Sequence, residues 1–270
     1  MIKYILLLLF FFLFEHTACQ TKKSDNFFNT ILDDAEIFFE DGFSFYTYPL
    51  NMSLSNWGTA AGIGVATYGL VHSDDYMRNR IGKDIDQYKS DFWIFFEKYG
   101  VIQYAEIAGA ATYAVGLFSD EDEVRILGRM MVQSLTYSGL TTMFIRMIAG
   151  RKRPPFTDDN LDFSGFETDN RFQSFPSGHV TVAFAFSTVL AEYFDTPWSR
   201  IGFYGLAGLA SAERLINSQH WVSDIALGAL VGIAGGIHVI NEESKRQNGK
   251  KSRLSIKPSF GGINLRYSLN

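Results

Sequence analysis

Three stretches of this 270-residue chain carry side chains whose types and spacing could do chemistry. The first, RMIAGRKRPP, sets Arg146 and Arg153 seven residues apart, just before Pro154. That interval is close to two helical turns, so both guanidiniums would lie near one face of a helix ending at the proline. The second, QSFPSGHVT, runs from Gln173 to Thr181 and puts Pro176, Ser177, Gly178 and His179 directly ahead of a long apolar run. The third, ERLINSQHWVSD, holds Arg214, His220 and Asp224. His220 and Asp224 stand at i and i+4, so a helix starting near Ser218 would bring imidazole and carboxylate together. Arg214 is out of phase with His220 on one continuous helix. A break at Asn217–Gln219 is expected, with Arg214 ending one helix and His220 opening the next.

Each stretch also has a plain structural reading. Ser177 is a good helix N-cap, and a histidine in a first helical turn is most often structural. Arginines at a helix end complement its dipole or anchor it to a membrane surface. A His–Asp pair at i, i+4 is often a surface contact worth about 0.5 kcal/mol or less. The conjunction is harder to dismiss, because all three groups fall at helix ends, in this order along one chain.

The elements that must position these residues are helical. Apolar periodicity marks about six helices, over Trp57–His72, Val101–Phe118, Ile126–Ala149, His179–Phe194, Arg200–Asn217 and His220–Ile240. No alternation of strands and helices interrupts them, so the fold expected is an all-α bundle. Gly228, Gly232 and Gly236 recur every four residues and would let a neighbouring helix approach the last one closely. Residues 20–56 read as an aromatic-rich extension, 57–241 as the helical domain and 242–270 as a basic tail. Within that tail LSIKPSFGGINLRYSL alternates about a Gly-Gly pair, which is a β-hairpin signature, with a disordered tail as the alternative.

The first 19 residues have the form of an export signal: Lys3, then an unbroken apolar run from Tyr4 to Phe14, then HTACQ. The run is short for a bilayer span. Cys19, the one cysteine, stands where a bacterial lipoprotein signal would be lipidated, although His16 departs from that pattern. A single cysteine excludes an intramolecular disulfide and a Cys-based zinc site. A net charge of −5 argues against nucleic acid as a partner. No cofactor or metal is called for, and His72 and His238 have no companion at ligand spacing. The carboxylates of the 155–175 loop (Asp158, Asp159, Asp162, Glu167 and Asp169) read as solvated.

Taken together, the three motifs resemble those of the type 2 phosphatidic acid phosphatase and vanadium haloperoxidase superfamily. Those motifs are a Lys, six residues, then Arg-Pro; Pro-Ser-Gly-His; and Ser-Arg, five residues, His, three residues, Asp. Here they read Arg146…Arg153-Pro154, Pro176-Ser177-Gly178-His179 and Glu213-Arg214…His220…Asp224. Arg146 stands in place of Lys, and Glu213 in place of Ser, which removes a hydroxyl beside Arg214. The resemblance implies a metal-independent phosphatase in which His220 attacks phosphorus and Asp224 fixes its tautomer. His179 would protonate the leaving oxygen and then activate water. Arg146, Arg153, Arg214, Ser177 and the Gly178 amide would hold the phosphate.

The expected substrate is a phosphomonoester or diphosphate of a lipid, met at a membrane surface. The alternatives are an exported acid phosphatase for soluble phosphates, a vanadium haloperoxidase, and a non-catalytic envelope protein. Mean hydropathy is zero, and Gln103 and Glu106 interrupt the second helical pattern. An exported, membrane-associated bundle is therefore expected, and a six-span integral protein is the alternative. The sequence does not speak to oligomeric state.

Overall fold

The computed structural model describes residues 27–81 and 91–249, with the backbone of two strands at 254–259 and 262–267. The signal segment and Cys19 lie outside the described residues. The fold is all-α, and its described helices are α1 (Phe27–Thr47), α2 (Leu54–Ile81), α3 (Asp91–Tyr99), α4 (Ile102–Ser119), α5 (Asp122–Ala149), α6 (Gly178–Phe194), α7 (Pro197–Ile216) and α8 (Val222–Gln247). Six of them answer to the periodic stretches of the sequence, with ends that move by several residues. Strands β1 (Leu254–Ser259) and β2 (Gly262–Tyr267) pair antiparallel, with Leu254 opposite Tyr267 and Ser259 opposite Gly262.

Helix α6 is the centre of the bundle. It is apolar or small on nearly every side, as a helix surrounded by others must be, and Val180, Ala183, Ala185, Val189 and Ala191 are fully buried. Helix α8 lies against it along the glycine stripe. A Cβ on Gly228 would come within 2.6 Å of the Ser177 carbonyl oxygen, and one on Gly232 within 2.5 Å of that of Thr181. This close approach brings the backbones of the second and third motifs into contact, where the Ser177 amide donates to the Asp224 carbonyl at 2.9 Å.

Helices α1 and α3 are the two elements that the periodicity did not separate. α1 forms within the expected extension, with its apolar residues gathered toward one side. Phe38 and Phe45 pack on Tyr137, with ring centroids 5.5 and 5.8 Å away. Its carboxylates Asp34 and Asp41 are buried, Asp34 against Arg125 and Asp41 in a two-bond pair with Arg246 at 2.8 and 2.6 Å. α3 is short and meets α4 at a bend of 66°. Gly100 at that bend is pressed against the backbone of His179, where a Cβ would come within 2.8 Å of its carbonyl oxygen.

Helix α5 ends at Ala149, earlier than the proline suggested. Gly150 takes the left-handed conformation at φ 54°, which ends the helix with a residue that has no Cβ to strain. Arg153 therefore lies beyond the helix in extended backbone, and the one-face argument for Arg146 and Arg153 does not hold. Among the described residues, α8 alone is long and apolar enough to cross a membrane, or two segments if the bent α3–α4 pair is one span.

Candidate active site

Three guanidiniums reach one end of the bundle by different routes. Arg146 sits in the last turn of α5, where its Nε donates to the Pro176 carbonyl at 2.8 Å. The rest of its guanidinium lies flat against Gly178, where a Cβ would stand only 2.9 Å from Nη2. A side chain at 178 would therefore push the end of Arg146 aside. Arg153 is brought back by the loop that follows it. Its amide donates to the Arg171 carbonyl at 2.8 Å, and its side chain donates to the Asn170 carbonyl and Oδ1 at 3.1 and 3.2 Å.

That loop is more structured than its charge suggested. Asp162 pairs with Lys152 at 2.7 Å, Asp158 with Arg78 at 3.2 Å, and Asp169 with Arg171 at 2.7 Å. Solvation alone therefore does not describe these carboxylates. Arg214 closes α7. Its Nε pairs with Glu213 and its Nη2 lies 3.4 Å from Glu97 of α3. Glu213 is 1% exposed and also accepts from the Asn217 amide. In place of a hydroxyl the chain has a buried carboxylate that holds Arg214 directly.

His220 precedes α8, because the helix begins at Val222 and not near Ser218. The His220–Asp224 approach is consequently not a helical i, i+4 contact. Asp224 turns back over the helix N-terminus, and its Oδ2 accepts from the Trp221 amide at 2.9 Å and from Ser174 Oγ at 2.5 Å. His220 Nδ1 lies 3.0 Å from the Ser174 carbonyl and 3.4 Å from Asp224 Oδ2. A carbonyl can only accept, so Nδ1 carries the proton and the lone pair is on Nε2. That Nε2 is buried and has no hydrogen-bond partner among the described residues. Ser177 occupies the N-cap of α6, yet its hydroxyl makes no cap bond and is likewise buried and unpartnered. The helix start therefore presents a free hydroxyl and free amides, which suits an anion.

The electrostatics follow from burial among cations. Burial is the main cause that lowers His220 to about 4, against the raising effect of Asp224. His179 is lowered to about 3, first by burial and then by Arg214, His220, Arg146 and Arg153. Arg146 is itself lowered to about 10, by burial and then by Arg153. Burial alone would raise Asp224, but the His220 bond and the Arg151 charge more than offset it and hold the carboxyl below its usual range. All eight residues singled out in the sequence thus converge: Arg146, Arg153, Ser177, Gly178, His179, Arg214, His220 and Asp224.

Residues 128–247, which span all three motifs, match the PAP2 superfamily. Over that segment the chain is similar to that superfamily. A lipid A 1-phosphatase of Porphyromonas gingivalis is 42% identical to it over 65 residues, 23% of this chain and 15% of that protein. A lipid A 1-phosphatase of Rhizobium johnstonii is 31% identical over 108 residues, 39% of this chain and 43% of that protein. The chain thus spans less than half the length of these curated relatives. Among solved structures, that of Aquifex aeolicus LpxE is similar at 20% identity and a TM-score of 0.42, covering 58% of this chain and 90% of that one.

Behind these motifs lies a buried cluster of residues that sequence reasoning did not single out. Arg151 is fully buried between Asp74 and Asp224, at 2.8 Å from each. Ser174 and Ser223 are also fully buried and bond to these carboxylates. Nothing local in the sequence distinguishes Asp74 from its neighbour Asp75, which is not buried. Next to this shell, a cavity of about 20 Å³ is lined by Asp74, Arg78, Pro154, Ser218, His220 and Trp221 among others. It has room for about one water and does not include the three guanidiniums of the anion site.

Proposed function

We propose that this PAP2-like protein is a phosphatase that hydrolyses a lipid phosphate through a covalent intermediate on His220. The observation that carries the proposal is His220 Nε2: buried, unpartnered, neutral by its depressed proton affinity, and within the field of the Arg153 and Arg146 guanidiniums. A neutral imidazole with its lone pair directed into a cationic pocket is a nucleophile for an anionic electrophile.

In the first step the Nε2 lone pair forms a bond to phosphorus and the bond from phosphorus to the leaving oxygen breaks. His179 gives its proton to that oxygen. The imidazole keeps its Nδ1 proton and becomes cationic, which Asp224 and the Ser174 carbonyl stabilise. In the second step a water loses a proton to His179 and attacks phosphorus, and the electron pair of the broken P–N bond returns to Nε2. His179 is neutral in the empty site because burial, and then the cations, depress it. A bound phosphate dianion offsets those cations, so protonation of His179 accompanies substrate binding. Arg146, Arg153 and Arg214 with Ser177 and the Gly178 amide match the charge that grows on the equatorial oxygens.

An apolar rim supports a lipid substrate. Met143, Met147 and Ile148 are exposed on the outer side of α5, and Phe166, 74% exposed, donates its amide to the Met147 carbonyl at 2.7 Å. This patch adjoins the last turn of α5, which carries Arg146, and suits docking on an envelope membrane whose lipid phosphates enter the pocket. Lipid A 1-phosphate is the first substrate to test, because the named relatives act on it. The assay compares it with phosphatidate, an isoprenyl diphosphate and a soluble aryl phosphate. The proposal expects kcat/KM to favour a lipid, and Phe166→Asp to lower turnover of lipid but not of aryl phosphate. Wild-type kcat/KM as high on the aryl phosphate as on any lipid, or lipid turnover unchanged in Phe166→Asp, would overturn the lipid assignment.

A further inference from the structure

The fully buried cluster behind His220 contains two carboxylates, Asp74 and Asp224, and one guanidinium, Arg151. Arg151 Nη1 donates to Asp224 Oδ1 at 2.8 Å and to Ser223 Oγ at 2.6 Å. Its Nη2 donates to Asp74 Oδ2 at 2.8 Å and to the Asn160 carbonyl at 2.6 Å. The rings of Phe163, Trp221 and Phe175 enclose the guanidinium at 5.0, 5.2 and 5.9 Å. Asp74 accepts at both oxygens, from the Ser223 amide at 3.0 Å and from Ser223 Oγ and Arg151. Only donors face it, so it is an ionised acceptor, although burial raises its proton affinity.

The charge balance has a chemical consequence. Arg151 facing Asp224 alone would form a neutral pair, and little net negative charge would remain to stabilise a cation on His220. With Asp74 drawing on the other side of the guanidinium, the cluster carries one net negative charge, and it lies next to the ring that becomes cationic. In the empty site Arg146 and Arg153 also feel the Asp224 charge and offset part of it. When a phosphate dianion engages those guanidiniums, the negative charge of the cluster is left to the imidazole, and a phosphorylated, cationic His220 matches it.

We infer that Asp74 and Arg151 are positioning residues for the reaction: Arg151 orients Asp224 toward His220, and Asp74 keeps the cluster anionic so that charge on the phosphorylated imidazole is stabilised. The inference rests on His220 being the nucleophile. It also gives α2 a part in the site, because Asp74 is where that mostly exposed helix meets the buried core.

The test uses Asp74→Asn, Arg151→Met and the double variant in the full-length protein, assayed for kcat, KM and competitive inhibition by inorganic phosphate. Asp74→Asn is expected to lower kcat by about tenfold or more, a tenfold loss corresponding to ~1.4 kcal/mol of transition-state stabilisation. KM and inhibition by inorganic phosphate should be unchanged, since the phosphate-binding arginines are untouched and no bond to His220 is made. The double variant restores the charge balance, one carboxylate without its guanidinium or second carboxylate, and should recover kcat above that of Asp74→Asn. A purely structural role expects the double variant to be at least as impaired as either single one, with inhibition by inorganic phosphate weakened in step. That result, or an unchanged kcat in Asp74→Asn, would overturn the inference. If the wild type itself forms no phosphohistidine, the His220 reading fails instead, and the two failures are distinct.

Discussion

Arg146 stands where the superfamily that the chain resembles has a lysine, and truncating it is the sharpest test of the proposed anion site. In the structure Nε is taken by the Pro176 carbonyl at 2.8 Å, and the Nη atoms lie against Gly178 at the start of α6. Arg146→Ala removes one charged hydrogen-bonding group from the phosphate, worth about 1.5–3 kcal/mol. At a tenfold loss per ~1.4 kcal/mol, kcat/KM should fall roughly 10- to 150-fold. Arg146→Lys keeps the charge but leaves the Pro176 carbonyl without its planar donor, so it should fall between wild type and Ala. Gly178→Ala provides an internal check. Its Cβ would stand 2.9 Å from Nη2 and displace the guanidinium, so it should impair the wild type and add much less in the Arg146→Ala background. Steady-state kinetics on the best lipid phosphate measures all four. An Ala variant with unchanged kcat/KM, or full additivity of Gly178→Ala, would refute the placement of Arg146 in the site.

Two further outcomes follow from the same geometry. Below pH 6.5 an unfolded His220 takes up a proton that the folded one refuses until about pH 4, so stability should fall as pH drops through that window and not above it. The full effect is about 3 kcal/mol, measurable as a difference in denaturant unfolding between wild type and His220→Gln, whose loss across the window should be shallower. Glu213→Ala leaves the Arg214 Nε without its buried carboxylate, so affinity for vanadate should weaken as Arg214 loses its fixed orientation, while Glu213→Gln should retain more of it.

The bundle was legible because its central helices carry clear signals. α6 opens at Pro-Ser-Gly-His and runs apolar, and the glycines of α8 mark the contact with it. α1 was not legible, because Asp34 and Asp41 look like surface charges until Arg125, Arg129 and Arg246 are known to meet them from α5 and α8. The eight site residues could be read from type and order, but the reasoning that joined some of them was incomplete. Helical phase did not unite Arg146 with Arg153, since Gly150 ends the helix between them. Nor did it unite His220 with Asp224, since the contact is made across a helix N-terminus. Arg151 was hidden in an Arg-Lys-Arg run, where nothing local distinguishes a fully buried guanidinium from the exposed kind. Its partner Asp74 is 77 residues away, a separation over which no sequence period carries information.

The central claim is that His220 forms a covalent bond to phosphorus. It is tested most directly by acid and base quenching of the enzyme during turnover of a lipid labelled in its phosphate, followed by mapping of the labelled peptide. The account expects label that survives base, is lost in acid and maps to His220, present in the wild type and absent from His220→Ala. Acid-stable label on Ser177, or rapid turnover with no label on the protein at any time, would contradict it.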